Sequence, residues 1–118
     1  MKPSPAQPFM MAQLDELTGI DCPCGEARRA FCVADNRTAS VHLTDIHLDA
    51  RAHYHKRTTE IYIVLEGVGE IELNGQRYPL KPFTAVMIRP GCTHRAIGHL
   101  RIINVAIPAF DPADEWID

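Results

Sequence analysis

The 118-residue sequence has no apolar stretch close to the roughly 20 residues that a helix needs to cross a bilayer. It also has no long run of Lys or Arg, and its formal net charge is −3, which argues against an electrostatic nucleic-acid-binding protein. The first residues carry one Lys and three early prolines with no apolar run behind them, which is not the pattern of a signal peptide. We therefore expect a cytoplasmic protein that binds neither membranes nor nucleic acid.

Cysteine is also sparse, with four residues in the chain. Cys22 and Cys24 form a C-x-C pair, whereas Cys32 and Cys92 stand apart from it. A structural zinc site usually takes two closely spaced pairs, and the second pair is missing here. Zinc binding by Cys22 and Cys24 is therefore disfavoured, and reduced thiols in buried or loop positions are the better interpretation.

The length allows one hydrophobic core, and the sequence shows no internal repeat and no linker that would divide it. Residues 12–17 predict a short helix, and Asp111 followed by Pro112 predicts a helical turn near the end, because Asp caps a helix and Pro suits its first position. We expect an N-terminal arm with a short helix over residues 1–26, a β-barrel domain over 27–110 and a C-terminal capping segment over 111–118.

The middle of the chain has the pattern of an all-β protein. Short runs rich in β-branched and aromatic residues are separated by turns every 8–12 residues, which is typical of a sandwich or barrel. The clearest signal is Asn74-Gly75 between the alternating runs 68–73 and 76–80, because a type I′ turn needs positive φ at both central positions. The other runs predict strands at 30–33, 40–48, 60–66, 84–88, 93–97 and 100–107.

The histidines carry the chemistry that the sequence indicates. His53 and His55 lie two residues apart, so on a strand both rings point to one face and can reach a common ion. Glu60 follows a polar stretch suited to a turn, and a hairpin would return its carboxylate to the histidine pair. His94 comes directly after a Pro- and Gly-containing turn that can present it rigidly. We predict that these four side chains bind one metal ion.

Two segments of the chain resemble the two motifs of the cupin superfamily. Residues 53–67 read H-x-H-x4-E-x6-G, and residues 90–94, P-G-C-T-H, resemble the core of the second motif. The resemblance covers about residues 40–108 and implies a double-stranded β-helix (jelly-roll) barrel. It also implies one divalent ion of Fe, Mn, Ni, Zn, Co or Cu on His53, His55, Glu60 and His94. The sequence departs from the family pattern at His47 and Phe83, where Gly is usual, at Arg89 for Pro, and at Gly98 for Asn.

Three neighbours of the predicted ligands are candidates for further roles. Arg51 shares a face with the histidine pair by period two, so it is either a group that binds a substrate carboxylate or a solvated rim residue. Tyr62 shares a face with Glu60 and either donates a hydrogen bond to substrate or fills the barrel. Cys92 either approaches the metal or, as we favour, lies in a turn that points away. The remaining histidines, which no spacing connects with the site, are His42, His47 and His99.

The resemblance implies a metal-dependent enzyme of the dioxygenase, isomerase or decarboxylase type that acts on a small polar molecule inside the barrel. The alternative is a non-catalytic module that holds a metal or a small ligand. Ile61, Ile63 and Leu65 lie on the outward face of their predicted strand. Since a chain this short has little to cover such a face, we also expect a homodimer.

Overall fold

A computed structural model of the chain describes residues 8–22, 25–47 and 51–117. Within these ranges the structure is almost entirely β, and nine strands form one curled sheet in which every neighbouring pair is antiparallel. The prediction of an all-β protein is therefore confirmed. The strands are β1 (Ile20–Cys22), β2 (Gly25–Ala30), β3 (Ser40–Ile46), β4 (His53–Tyr54), β5 (Thr59–Leu73), β6 (Gln76–Leu80), β7 (Ala85–Ile88), β8 (His94–Ile107) and β9 (Trp116–Ile117).

Strands β5 and β8 are the longest, with 15 and 14 residues, and pair along their whole length. The sequence predicted each of them as two shorter strands. In β5 the chain bends without breaking, because a bulge lies between Val64 and Glu66 and Gly67 has a φ of 93°. A Cβ atom at Gly67 would lie 2.2 Å from the carbonyl oxygen of His99, so only glycine allows this close approach.

Strand β8 is the centre of the sheet. Its second half lies between β3 and β5, and its first residue, His94, pairs with His53 of β4. Strands β2 and β1 extend the sheet beyond β3, β9 continues it beyond β4, and β6 and β7 pair with β5. The predicted β5–β6 hairpin is confirmed, with φ values of 48° at Asn74 and 85° at Gly75.

Alternating side chains of these strands fill the inside of the curled sheet. On β5, Tyr62 and Val64 are buried, while Ile61 and Ile63, which alternate with them, are only half-buried. The outward apolar face that was expected is therefore present, and the homodimer inferred from it stays a prediction. The buried apolar core consists of Ile46, Tyr62, Val64, Ile71, Leu80, Ile88, Ala96, Leu100 and Ile102.

Some local predictions are wrong. The strand expected at residues 30–33 ends at Ala30, because Phe31 has a φ of 70° and turns the chain away. The helix expected at 12–17 is only a 3₁₀ turn over Leu14–Glu16. The C-terminal turn is confirmed as a 3₁₀ turn over Pro112–Asp114, in which the Asp111 side chain accepts a hydrogen bond from an N–H of the turn.

The backbone explains one departure from the family motif. Phe83, which stands where glycine is usual, has a φ of 71° and an exposed side chain. For a residue with a Cβ this left-handed conformation costs about 1–2 kcal/mol. The turn before β7 therefore has a left-handed conformation that glycine adopts readily, although Phe stands at this position.

No helix in the described part of the chain is long and apolar enough to cross a membrane. Strand β2 begins at Gly25, two residues before the expected start of the barrel domain. The division of the chain at residues 26 and 110 stays a prediction.

Candidate metal centre and the adjoining cavity

The four predicted ligands come together at one end of the barrel. His53 lies on β4 beside His94 at the start of β8, His55 follows β4 directly, and Glu60 lies at the start of β5. All four side chains are buried. One ligand atom from each lies within 4.8 Å of the others, so this group could hold a metal ion.

The three imidazoles are held by the same kind of hydrogen bond. In each ring Nδ1 faces a backbone carbonyl, to which it donates its hydrogen, so that Nε2 keeps its lone pair. Metal-binding histidines are usually held in this way, because the second hydrogen bond selects the tautomer and aims the ring. The acceptors are the carbonyl of Arg51 for His53 at 3.4 Å, of Asp114 for His55 at 2.8 Å and of Cys92 for His94 at 2.9 Å.

The Glu60 carboxylate lies between two of the rings. Its Oε1 is 2.8 Å from Nε2 of His55 and 3.0 Å from Nε2 of His94, while its Oε2 accepts a hydrogen bond of 2.6 Å from Asn104. The His55 contact lacks hydrogen-bond geometry, and within the described ranges Nε2 of His55 has no other partner. His55 and Glu60 therefore face each other at close range without a hydrogen bond between them. Three imidazoles and a carboxylate so placed fit a divalent transition metal.

The charges of the group suit metal binding. Burial disfavours the charged form of Glu60, but the contacts with His55 and His94 outweigh it and lower the pKa of the carboxyl. Burial, together with the neighbouring His94, lowers the pKa of His53 to about 4. Burial also lowers the pKa of His55, yet the Glu60 contact outweighs it and raises the pKa above its ordinary value. At neutral pH Glu60 is therefore ionised and His53 is neutral, as ligands must be.

Asp114 positions the loop that joins His55 to Glu60. Its buried carboxylate accepts hydrogen bonds of 3.0–3.2 Å from the backbone N–H groups of Lys56, Arg57 and Thr58. Burial would raise the pKa of Asp114, but these donors lower it to about 2. The sequence indicated the turn that carries Asp114 but held no signal that its carboxylate reaches back to this loop.

A small cavity of about 50 Å³ lies against the ligand group. One wall is a row of side chains across four neighbouring strands, since Arg29 pairs with His42, His42 with Asn104, and Asn104 with Tyr62. The interpretation of His42 as unconnected with the site is therefore wrong. The remaining lining residues are Cys22, Ala27, Thr44, Ile46, His53, His55, Glu60, Ala96, Ile102, Phe110 and Glu115.

His42 is held in this wall by a local hydrogen-bond chain. Its Nε2 lies 2.8 Å from Oγ of Ser40, which also accepts the N–H of Phe110. Burial, together with the charge of Arg29, lowers the pKa of His42 to about 4. The ring is therefore neutral at pH 7.

The other candidate residues lie in different surroundings. Arg51 is exposed and does not line the cavity, and His47 and His99 are exposed as well. Tyr62 is buried, lines the cavity and places its ring edge-on to His94, with 5.9 Å between the ring centroids.

The three described cysteines lie in different surroundings. Cys92 is half-buried against the apolar core and is not a member of the ligand group, and burial raises the pKa of its thiol. Cys22 lines the cavity, and Cys32 and Cys92 are free thiols. Cys24 lies outside the described residues.

Comparison with known proteins agrees with this architecture. The family model described as "Cupin domain" matches residues 43–100. A crystal structure of a protein from Planctomyces limnophilus is 47% identical, with a TM-score of 0.88, over 95% of this chain and 98% of that one. The chain belongs to the cupin family. The double-stranded β-helix barrel expected from the resemblance is thereby confirmed.

Two further cupin relatives have a named activity. Ectoine synthase from P. lautus is 26% identical, with a TM-score of 0.73, over 89% of this chain and 82% of that one. L-ectoine synthase from Aliivibrio fischeri (strain MJ11) is 37% identical over 65 residues, which are 53% of this chain and 51% of that protein. The match thus spans about half the length of the curated relative.

Proposed function

We propose that this cupin is a metal-dependent enzyme for a small polar substrate, and that His53, His55, Glu60 and His94 bind one divalent transition metal ion. The observation that carries the proposal is the convergence of four buried ligand atoms within 4.8 Å. Three neutral imidazoles and one carboxylate leave such an ion with a net charge near +1. Catalytic sites of this kind keep at least one position open for water or substrate.

A bound ion would polarise a carbonyl or hydroxyl oxygen of the substrate or acidify a bound water. The chain supplies the surroundings. Asn104 holds one oxygen of Glu60, so that the other faces the histidines. Neutral His42 and the phenol of Tyr62 line the cavity and can hold a proton beside the substrate. Because ligand type does not select among Fe, Mn, Ni, Zn, Co and Cu, cellular availability decides the metal.

The relation to ectoine synthase supports an enzyme over a module that only holds a ligand, since the name describes a catalyst. The small cavity against the ligand group also supports this choice. Its walls carry both charged and neutral polar groups, as a site that orients a substrate requires.

Metal analysis tests the ligand assignment. We expect the purified protein, reconstituted with each of the six metals in turn, to hold about one equivalent of at least one of them. His53→Ala and His94→Ala should each abolish this content. His99→Ala is the matched control, because His99 lies exposed on the same strand as His94. Full metal content in both ligand variants would contradict the assignment.

Turnover tests the enzymatic part of the proposal. The reconstituted protein is incubated with small hydroxy, oxo and amino acids, and products are followed by NMR while an electrode records oxygen. Product formation that His94→Ala abolishes supports an enzyme, and oxygen uptake identifies the dioxygenase type. Metal binding without product from any substrate supports the non-catalytic module instead.

A further inference from the structure

Arg29 of β2 lies where two cavities of the barrel meet. It lines the small cavity against the metal-ligand group, and it also lines a larger outer cavity of about 890 Å³. Phe110 is the one other residue that lines both. Arg29 therefore lies at the boundary between the outer cavity and the small cavity that adjoins the ligand group.

The guanidinium has an aromatic neighbour but, among the residues that the structure describes, no counter-ion. Its Cζ lies 4.2 Å from the centroid of the Phe110 ring, which fixes the plane of the group. Among the described residues no carboxylate forms an ion pair with Arg29, and its buried Nε has no hydrogen-bond partner. Nε of Arg28 and of Arg101 also lacks a hydrogen-bond partner, but each of these arginines lies beside a carboxylate, Glu26 at 3.0 Å and Asp45 at 3.2 Å. A buried donor of this kind normally has a partner, so Arg29 has the capacity to bind an anion.

The outer cavity favours an anion as well. Its charged lining residues are three arginines and one acidic residue, Asp111, which forms an ion pair of 3.1 Å with Arg57. Arg29 and Arg37 therefore leave a positive potential at the opening, which attracts anions.

The register of the sheet sets the size of the ligand. Arg29 pairs with His42, and His42 pairs with Asn104, whose side chain holds Glu60. Adjacent strands lie about 4.8 Å apart, so the backbones of Arg29 and Asn104 are about 10 Å apart. The Arg29 side chain lines the small cavity, so the distance from its guanidinium to the metal-ligand group is shorter than the distance between the two backbones. A molecule of a few carbon atoms can then contact both Arg29 and the metal-ligand group.

We propose that Arg29 binds the carboxylate of a short-chain hydroxy or oxo acid whose other oxygen lies at the metal-ligand group. The position of that other oxygen rests on the proposed function, whereas the carboxylate contact does not. An arginine fork matches the two oxygens of a carboxylate in plane and spacing. Arg29 thus takes the role that the sequence suggested for Arg51.

NMR of the ¹⁵N-labelled protein tests this contact directly, with the Arg29 Nε–H resonance as readout. We expect 4-hydroxybutyrate to shift this resonance in a saturable way, and 4-hydroxybutyramide, which lacks the negative charge, to leave it in place. In Arg29→Gln the affinity for 4-hydroxybutyrate, read from neighbouring resonances, should fall about 10- to 100-fold. Arg28→Gln is the matched control, because Arg28 does not line either cavity.

The other outcomes overturn the proposal. Equal binding of the acid and the amide to wild-type protein would exclude carboxylate recognition, and this comparison does not depend on whether a variant folds. Loss of binding in Arg51→Gln but not in Arg29→Gln would move the contact to Arg51. Tighter binding of inorganic phosphate than of the acid at Arg29 would replace the carboxylate by a phosphate.

Failure of the metal-ligand assignment can be distinguished from failure of the Arg29 proposal. His94→Ala leaves Arg29 intact, so the acid should still shift the Arg29 resonance in that variant. A protein that binds the acid through Arg29 but holds no metal would contradict only the ligand assignment and the position of the second oxygen. A protein that holds metal but does not bind the acid would contradict only the role of Arg29.

Discussion

At one end of the cavity the charged group is the buried carboxylate of Glu60, and at the other end it is the guanidinium of the half-buried Arg29. Glu60 lies against two imidazoles and accepts a hydrogen bond from Asn104, so its charge is well supported within the chain. Arg29 has the ring of Phe110 beside it and neutral His42 next to it in register, and it pairs with no carboxylate of the described residues. Glu60 is paired with protein groups, whereas Arg29 has no ion-pair partner among the described residues.

This difference shows how the site keeps two opposite charges apart. Had Glu60 and Arg29 paired with each other, the cavity would contain a closed salt bridge with little capacity for a ligand. Asn104 and His42 stand between them on neighbouring strands and prevent that pairing. A substrate that is anionic at one end and carries an oxygen at the other complements the arrangement.

The largest effect on metal affinity is expected for Glu60→Gln, which changes the metal-ligand group and leaves Arg29 in place. The amide removes the ligand charge, so metal affinity should fall by more than the 10- to 100-fold typical of changes in groups that only support ligands. The Arg29 shift with 4-hydroxybutyrate should remain. Competition with a chelator measures the affinity, and an unchanged value would contradict the ligand role of Glu60.

Asn104→Leu removes the side chain that stands between the two ends. Because Glu60 then loses the donor to its Oε2, we expect metal affinity to fall about 10- to 100-fold. Gln76→Ala, an exposed position on β6, should leave the affinity unchanged. If Asn104→Leu also behaves like Gln76→Ala, the two ends are independent of the residue between them.

Asp114 contacts the loop next to the metal-ligand group, so its removal should lower the stability of the protein without changing the surroundings of Arg29. Asp114→Ala leaves the N–H groups of the loop after His55 without their acceptor, and we expect a loss of about 2–3 kcal/mol in the free energy of unfolding. Urea titration measures the loss, and the pKa of His42 at the arginine end should not change. A stability equal to that of the wild type would contradict this role.

The lowered pKa of Asp114 predicts that the free energy of unfolding depends on pH in the acid range. The pKa of Asp114 is about 2 in the folded chain and 3.8 in its ordinary state, so the folded state favours the ionised form. Its contribution to stability is present above about pH 4 and is lost as the pH falls towards 2. Asp114→Asn should lack this part of the acid destabilisation.

The smallest expected effect is the change in the pKa of His42 when the charge of Arg29 is removed. The His42 pKa of about 4, against 6.5 ordinarily, means that the folded state favours the neutral ring, so stability is lost as the pH falls from about 6.5 through about 4. His42→Gln should remove that loss. In Arg29→Gln the pKa should rise only in part, because burial is the larger cause. NMR of the ring protons measures it, and an unchanged pKa would show that the charge of Arg29 does not act at His42.

The sequence by itself determined the part of this protein that local spacing controls. Residues two apart on a strand share a face, so His53 and His55 could be paired without a structure, and Glu60 is close enough in the chain to return beside them. The turn at Asn74-Gly75 follows from the backbone angles that those two residues tolerate. His94 was proposed from the turn before it and from the resemblance to the second family motif, and the structure places it in the same buried group.

Only the tertiary structure decided the other end of the cavity. Arg29, His42 and Asn104 form one row because three strands distant in sequence lie side by side in a particular register. The packing of the core sets that register, since a slip of one residue would turn every side chain of a strand to the opposite face. Periodicity shows which residues share a face, but not which face is inside or which strand is the neighbour. For that reason the sequence left Arg51 open as either a carboxylate-binding group or a solvated rim residue, whereas the structure shows Arg51 exposed and places Arg29 in the cavity wall.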